Sequence, residues 1–185
     1  MPNRRKMPEQ DPAAQSESGV SFTIRHATPA DREILMGLFR AGVEEGAFIL
    51  NENEPRDSDL IEGHDPDSPV AGCWIAEETT RHADNQSRII GMIGLNPLED
   101  HMAEARRLFV VPERRGIGVG AGLLEQLVET CREAGYLKII LDVGERSETA
   151  VRLLNRLGFQ LARERETDGR VLLDFYLDIY RDNPG

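Results

Sequence analysis

The chain has 185 residues, 33 of them acidic and 22 basic, for a formal charge of −11. That balance excludes a nucleic-acid binder, whose affinity comes from clustered Lys and Arg, and no apolar run approaches the roughly 20 residues of a membrane span. Cys73 and Cys131 are too few for a disulfide framework, so a cytoplasmic protein with no membrane partner is expected.

Residues 1–20 are polar and rich in Pro, Ser, Gln and charge, and read as a flexible N-terminal tail ahead of a single domain over 21–182. Ser21–Arg25 reads as a short strand. Thr28 and Pro29 then open a helix as N-cap and first helical residue, with Ile34, Leu35, Leu38 and Phe39 as its apolar stripe. Segment 41–70 lacks periodicity and reads as loop with one short helix around Asp57–Gly63; it holds nine acidic residues against Arg56 alone.

Cys73–Glu78 and Ile89–Leu95 read as strands joined through the polar Thr79–Arg88 stretch, with Trp74 in the core. Ala105–Val111 is a third strand of this group. A helix over Val119–Ala134 carries Leu123, Leu124, Leu127, Val128 and Cys131 on one face, which makes Cys131 a buried, inert thiol, and Gly135 suits its C′ position. The strand Lys138–Val143, a helix over Glu148–Leu157 stopped by Gly158, and the strands Phe159–Glu166 and Val171–Ile179 about an Asp168-Gly169 turn complete the order. Hairpins early and late around one β-α-β unit mean an α/β fold with a mixed sheet.

The chemistry gathers in Leu108–Leu124, where an apolar strand runs through Arg114 and Arg115 into glycines at 116, 118 and 120 and then a helix. Glycines let successive backbone N–H groups curl toward one anion, and the helix start adds unpaired donors and its positive dipole end. A nucleoside-triphosphate loop is excluded, because no Gly-Lys followed by Ser or Thr occurs. A dinucleotide fingerprint is formally present, since Gly116, Gly118 and Ala121 satisfy G-x-G-x-x-A and Asp142 ends the next strand. Against it, Pro112–Arg115 separate strand from glycine, and three strands precede the β-α-β unit.

The pattern Arg115-x-x-Gly118-x-Gly120 entering a Leu-Leu helix resembles the coenzyme A motif of the GNAT superfamily of acyl-CoA-dependent N-acyltransferases, Q/R-x-x-G-x-G/A. Ala150-Val-Arg-Leu153-Leu-Asn-Arg-Leu-Gly158-Phe159 is similar to that family's later A-x-x-L-Y-x-x-x-G-F signature, and Glu104–Val111 resembles a common form of its fourth strand. The resemblance covers about residues 21–180. It implies a mixed, mostly antiparallel central sheet with helices on both faces, splayed between strands 4 and 5. It further implies acetyl-CoA as acyl donor, its pyrophosphate on the backbone of Gly116, Ile117, Gly118, Val119, Gly120 and Ala121 beside Arg115, and its pantetheine arm along Leu108, Phe109 and Val110. A backbone N–H of that strand would stabilise the oxyanion formed when an amine attacks the thioester.

In that family the base is often a carboxylate at the position of Glu104, and Asp142 is a second such place. Ser147 replaces the Asn that commonly helps hold the cofactor, and Leu154 stands where a Tyr often protonates the leaving sulfur. No serine has a nucleophile-elbow context, so direct attack in a ternary complex is expected. His26, His64, His82 and His101 lack metal-ligand spacing, so no metal is expected. The acceptor implied is a primary amine on a small molecule or peptide, cationic if the acidic 41–70 segment faces it. Members of the family often dimerise through their last strands, where Phe175, Tyr176 and Tyr180 serve either such a homodimer contact or the core. The missing Tyr leaves a second class open, a sensor that binds acetyl-CoA and catalyses nothing.

Overall fold

The computed structural model describes residues 21–48, 72–79, 87–144, 147–167 and 169–179. Seven strands form one sheet: β1 (Ser21–His26), β2 (Gly72–Thr79), β3 (Ser87–Pro97), β4 (Met102–Val110), β5 (Lys138–Gly144), β6 (Gln160–Thr167) and β7 (Arg170–Asp178). Their spatial order is β1-β2-β3-β4-β5-β7-β6, and every neighbouring pair is antiparallel except β4 with β5. One parallel pair inside an antiparallel sheet is incompatible with the doubly wound dinucleotide fold, so the G-x-G-x-x-A match has no such fold around it. The described helices are α1 (Arg32–Glu44), α2 (Val119–Glu133) and α3 (Glu148–Arg156).

β2 and β3 are buried along nearly their whole length, as the apolar runs around Trp74 and Ile90 require of central strands covered on both faces. A Cβ placed at Gly91 would touch Val119 and Leu123, so that face of the sheet lies under α2. Val110 is opposite Gly91 in the β3–β4 register. The next residue back, Phe109, points to the other face, where its ring meets Phe48 just beyond α1. Helices therefore cover both faces. α3 joins α2 on its side, with Leu153 against the position a Cβ at Gly120 would take.

The β4–β5 pairing is short. Met102, Ala103 and Glu104 pair with Lys138, Ile139 and Ile140, and the pairing ends there although both strands continue. The two strands part after Glu104, as the resemblance implied, leaving the later edge of β4 without a strand neighbour on that side. Just past the parting, Ile93 of β3 faces two β4 residues, because Met92 pairs with Phe109 but Gly94 with Arg106. Arg107 sits in this bulge at φ 56, a left-handed conformation that the extra residue forces on it.

Trp74 and the stripe Leu123, Leu124, Leu127, Val128 and Cys131 are buried as read from the sequence. Burial pushes both the Cys73 and Cys131 thiols up to about 12, which makes them unreactive. Ile34 is a correction: it is 51% exposed, because the buried stripe of α1 runs through Leu35, Leu38 and Gly42 and Ile34 lies one position off it. The helix entry also differs, since a 3-10 turn over Pro29–Asp31 precedes α1 and is closed by Asp31, whose carboxylate accepts from the Thr28 N–H and hydroxyl. β4 begins three residues earlier than read, after left-handed Asp100 and His101. Residues 1–20, Asp57–Gly63, Asp168 and Tyr180 lie outside the described residues, and Phe175 belongs to the core. Among the described residues no helix is long and apolar enough to cross a membrane.

Candidate active site

The glycine turn begins where β4 ends. A 3-10 turn over Pro112–Arg114 leads through extended Arg115 to Gly116 at φ 81 and Gly118 at φ 95, and Gly118 is the N-cap of α2. A side chain at either glycine would strain the backbone, yet a Cβ there would meet nothing within 4 Å. The glycines are thus needed for conformation, and the space over them is open. Gly122 makes the first helical bond, to the Gly118 carbonyl at 3.0 Å; no described backbone carbonyl accepts from Gly116, Ile117, Gly118, Val119, Gly120 or Ala121. Consecutive unpaired donors at the positive end of a fifteen-residue helix make a site for an anion.

Leu108, Phe109 and Val110 form the β4 edge beyond the parting with β5, directly before this turn. An unpaired strand edge accepts an extended, amide-bearing ligand as it would another strand. Arg115 lies against this edge: its Nε donates to the Val110 carbonyl at 2.9 Å, its guanidinium stacks 5.4 Å from the Phe109 ring centre, and it pairs with Glu45 at 2.6 Å.

Glu104 occupies the last paired position of β4, at the point of the splay. Its partner across β3, Asn96, donates from Nδ2 to Oε2 at 3.2 Å, and the buried Arg106 lies 3.8 Å from the same oxygen. The carboxylate is oriented by one hydrogen bond and a longer ion pair and is still partly open to solvent. Asp142 lies on the same face, two residues beyond Ile140, the partner of Glu104. It is taken by Arg165 at 3.0 Å and stands opposite Asp174 of β7. Burial works against the charged form of Asp174, but hydrogen bonds from Arg163 and Arg165 hold its carboxyl below the usual range. The sheet therefore brings Glu104 to the parting and gives Asp142 to an ion-pair cluster on β5, β6 and β7.

Ser147 is the N-cap residue of α3, although its hydroxyl makes no capping bond. Leu154 is 1% exposed and packed in the core, so that position offers no proton donor. Sequence reasoning groups Arg107 with the arginines near the turn and Glu45 with the acidic segment, but it missed four placements: Arg107 in the bulge, Asn96 behind Glu104, and the carboxylates of Glu45 and Glu78 holding Arg115 and Arg114. None carries a local signal, because each acts through a partner distant in sequence or through a bulge without glycine.

The model of the acetyltransferase (GNAT) family matches residues 33–159. Human N-acetyltransferase 8 is 30% identical over 92 residues, covering 47% of this chain and 37% of its own. Rat N-acetyltransferase 8 is 27% identical over 114 residues, covering 59% of this chain and 47% of its own. The matched region thus spans less than half the length of these relatives. Among solved structures, yncA from Salmonella typhimurium, determined with its cofactor acetyl-CoA, superposes with a TM-score of 0.69 at 17% identity, covering 89% of this chain and 97% of that one. A GCN5-related N-acetyltransferase from Kribbella flavida gives 0.69 at 22% identity, with 85% and 98% covered.

Proposed function

Because this chain belongs to the GNAT acetyltransferase family, we propose that it transfers an acetyl group from acetyl-CoA to a primary amine by direct attack in a ternary complex. The observation that carries this is the continuity of two backbone surfaces, the β4 edge at Leu108–Val110, which has no strand neighbour on the β5 side, and the unpaired N–H groups of Gly116–Ala121. The first suits the pantetheine arm and the second its pyrophosphate, with Arg115 and Ser147 beside them. The amine nitrogen attacks the thioester carbon, a β4 N–H takes the developing oxyanion, and collapse breaks the C–S bond to release the thiolate. Glu104 receives the proton lost by the amine, directly or through water, held for this by Asn96; Asp142 is the second candidate base.

A cationic acceptor follows from the acidic 41–70 segment, of which Glu44 and Glu45 close α1. A cytoplasmic setting belongs to the same proposal. The buried Leu154 favours one other function, an acetyl-CoA sensor without turnover.

Calorimetric titration with acetyl-CoA and separately with NAD, on the wild type and on Gly118→Glu, tests the donor. Binding of acetyl-CoA alone, lost in the variant, is expected; binding of NAD alone would overturn the proposal. An amine panel then separates the two functions. Steady release of free coenzyme A with an acylated product marks the enzyme, and tight binding with no turnover marks the sensor.

A further inference from the structure

The turn is open over Gly116 and Gly118, since neither position has any atom within 4 Å of where a Cβ would stand, and Ile117 between them packs against the core. Glycine-rich backbone is also the most costly to order. Beyond the Ile117 contact, its geometry is set from its two ends. At the exit, Val119 is 1% exposed and packs with Leu123 over Gly91, which fixes the start of α2 to β3.

The entrance is fixed differently. Glu78, near the end of β2, is a charged residue only 3% exposed. Arg114, the last residue of the 3-10 turn and two before Gly116, donates from Nε to both of its carboxylate oxygens at 3.0 Å, with a further N···O contact of 2.9 Å. The same short turn is closed in its backbone by Arg114 to Val111 and Arg115 to Pro112. A buried carboxylate is expensive and is retained where it fixes an arrangement that apolar packing would leave loose. Here it ties the segment ahead of the glycines to a strand three positions away in the sheet order from β5.

We propose that Glu78 is a positioning residue for the anion-receiving turn, acting through Arg114 and making no contact with the ligand itself. It rests on the coenzyme A site proposed above. Disturbing the pair lets the turn lose the alignment of its N–H groups, so it weakens ligands that carry the pyrophosphate and spares those that lack it.

The test compares coenzyme A with pantetheine, which has the arm but no pyrophosphate, by calorimetry on the full chain, with the melting temperature of the ligand-free protein recorded beside it. In Glu78→Gln and in Arg114→Gln the dissociation constant for coenzyme A is expected to rise about tenfold, with that for pantetheine unchanged. The double variant should be no worse than the weaker single one, because both remove one interaction. If Glu78→Gln does not fold, Arg114→Lys keeps the buried carboxylate paired but loses the fork, and the same selective loss is expected. Unchanged coenzyme A affinity, or a parallel loss of both ligands, would overturn the inference. A wild type that binds no coenzyme A would instead remove the site on which it rests.

Discussion

Arg115 and Glu45 lie 70 positions apart in the chain and meet across 2.6 Å, joining the end of α1 to the entrance of the glycine turn. The same guanidinium also takes the Val110 carbonyl, on the strand edge proposed for the pantetheine arm. A pyrophosphate seated at the turn as proposed would compete with the Glu45 carboxylate for this cation. Glu45→Gln removes the competitor, and because the pair is exposed, its worth is at most about 1 kcal/mol. Acetyl-CoA is expected to bind up to roughly fivefold more tightly in the variant. Calorimetry at low and high salt checks this, since the difference should shrink as salt screens the pair.

Glu104 and Asp142 share a face of the sheet, but their surroundings separate them. Glu104 is oriented by Asn96 at the parting of β4 and β5, whereas Asp142 is tied to Arg165. Glu104→Gln is expected to lower kcat by about 10²-fold or more while leaving acetyl-CoA affinity unchanged. Asp142→Asn should stay within a few-fold of wild type. Single-turnover acylation of an amine found by panel screening decides between them, and the reverse order of losses would move the base to Asp142.

A separate ion-pair network carries an expectation for how the fold responds to acid. The Arg25 fork takes both oxygens of Asp31 and its Nε takes Glu77. Those hydrogen bonds, helped by Thr28, hold the Asp31 carboxyl well below the usual range against the opposing effect of burial. Arg25 and then Ser87 lower Glu77 in the same sense. A depressed carboxyl contributes stability that is fully present above its unfolded value, about 4, and is lost as pH falls through the folded value. The melting temperature should therefore drop as the pH is taken below about 4. Arg25→Gln should cost about 1–2 kcal/mol at neutral pH, discounted for the exposure of the guanidinium, and should flatten that acid limb. A variant that melts with the same acid slope as wild type would refute this.

The strands, the α2 stripe and the glycine turn were legible because each rests on local pattern: alternation, helical spacing and glycines where φ must be positive. The parting of β4 from β5 came only by resemblance, since no residue type marks where a parallel pairing stops. The bulge at Arg107 was hidden for a related reason, because an arginine in a left-handed conformation is imposed by the register of β3 against β4. Ile34 was misread because α1 presents a narrow buried stripe completed by a glycine, Gly42, beneath the Phe48 ring.

The outer strand β6 bears on self-association. Arg163 and Arg165 both reach Asp174 and so point to one face, which sends Glu164 and Glu166 to the other. Two copies joined edge to edge by antiparallel β6 strands would be related by a twofold axis perpendicular to the sheet, which keeps faces matched. Any register centred within Arg163–Glu166 then sets Arg against Arg or Glu against Glu, and like charges directly opposite destabilise a pairing. Such a strand guards its edge. The bulge between Leu161 and Arg163 disturbs it further. A homodimer through this edge is accordingly disfavoured, and Glu164→Lys, which turns two Glu–Glu oppositions about Arg165 into Lys–Glu pairs, should increase self-association in sedimentation velocity runs. A wild type already dimeric, whose dimer is weakened by Glu164→Lys, would show that β6 pairs despite its charges.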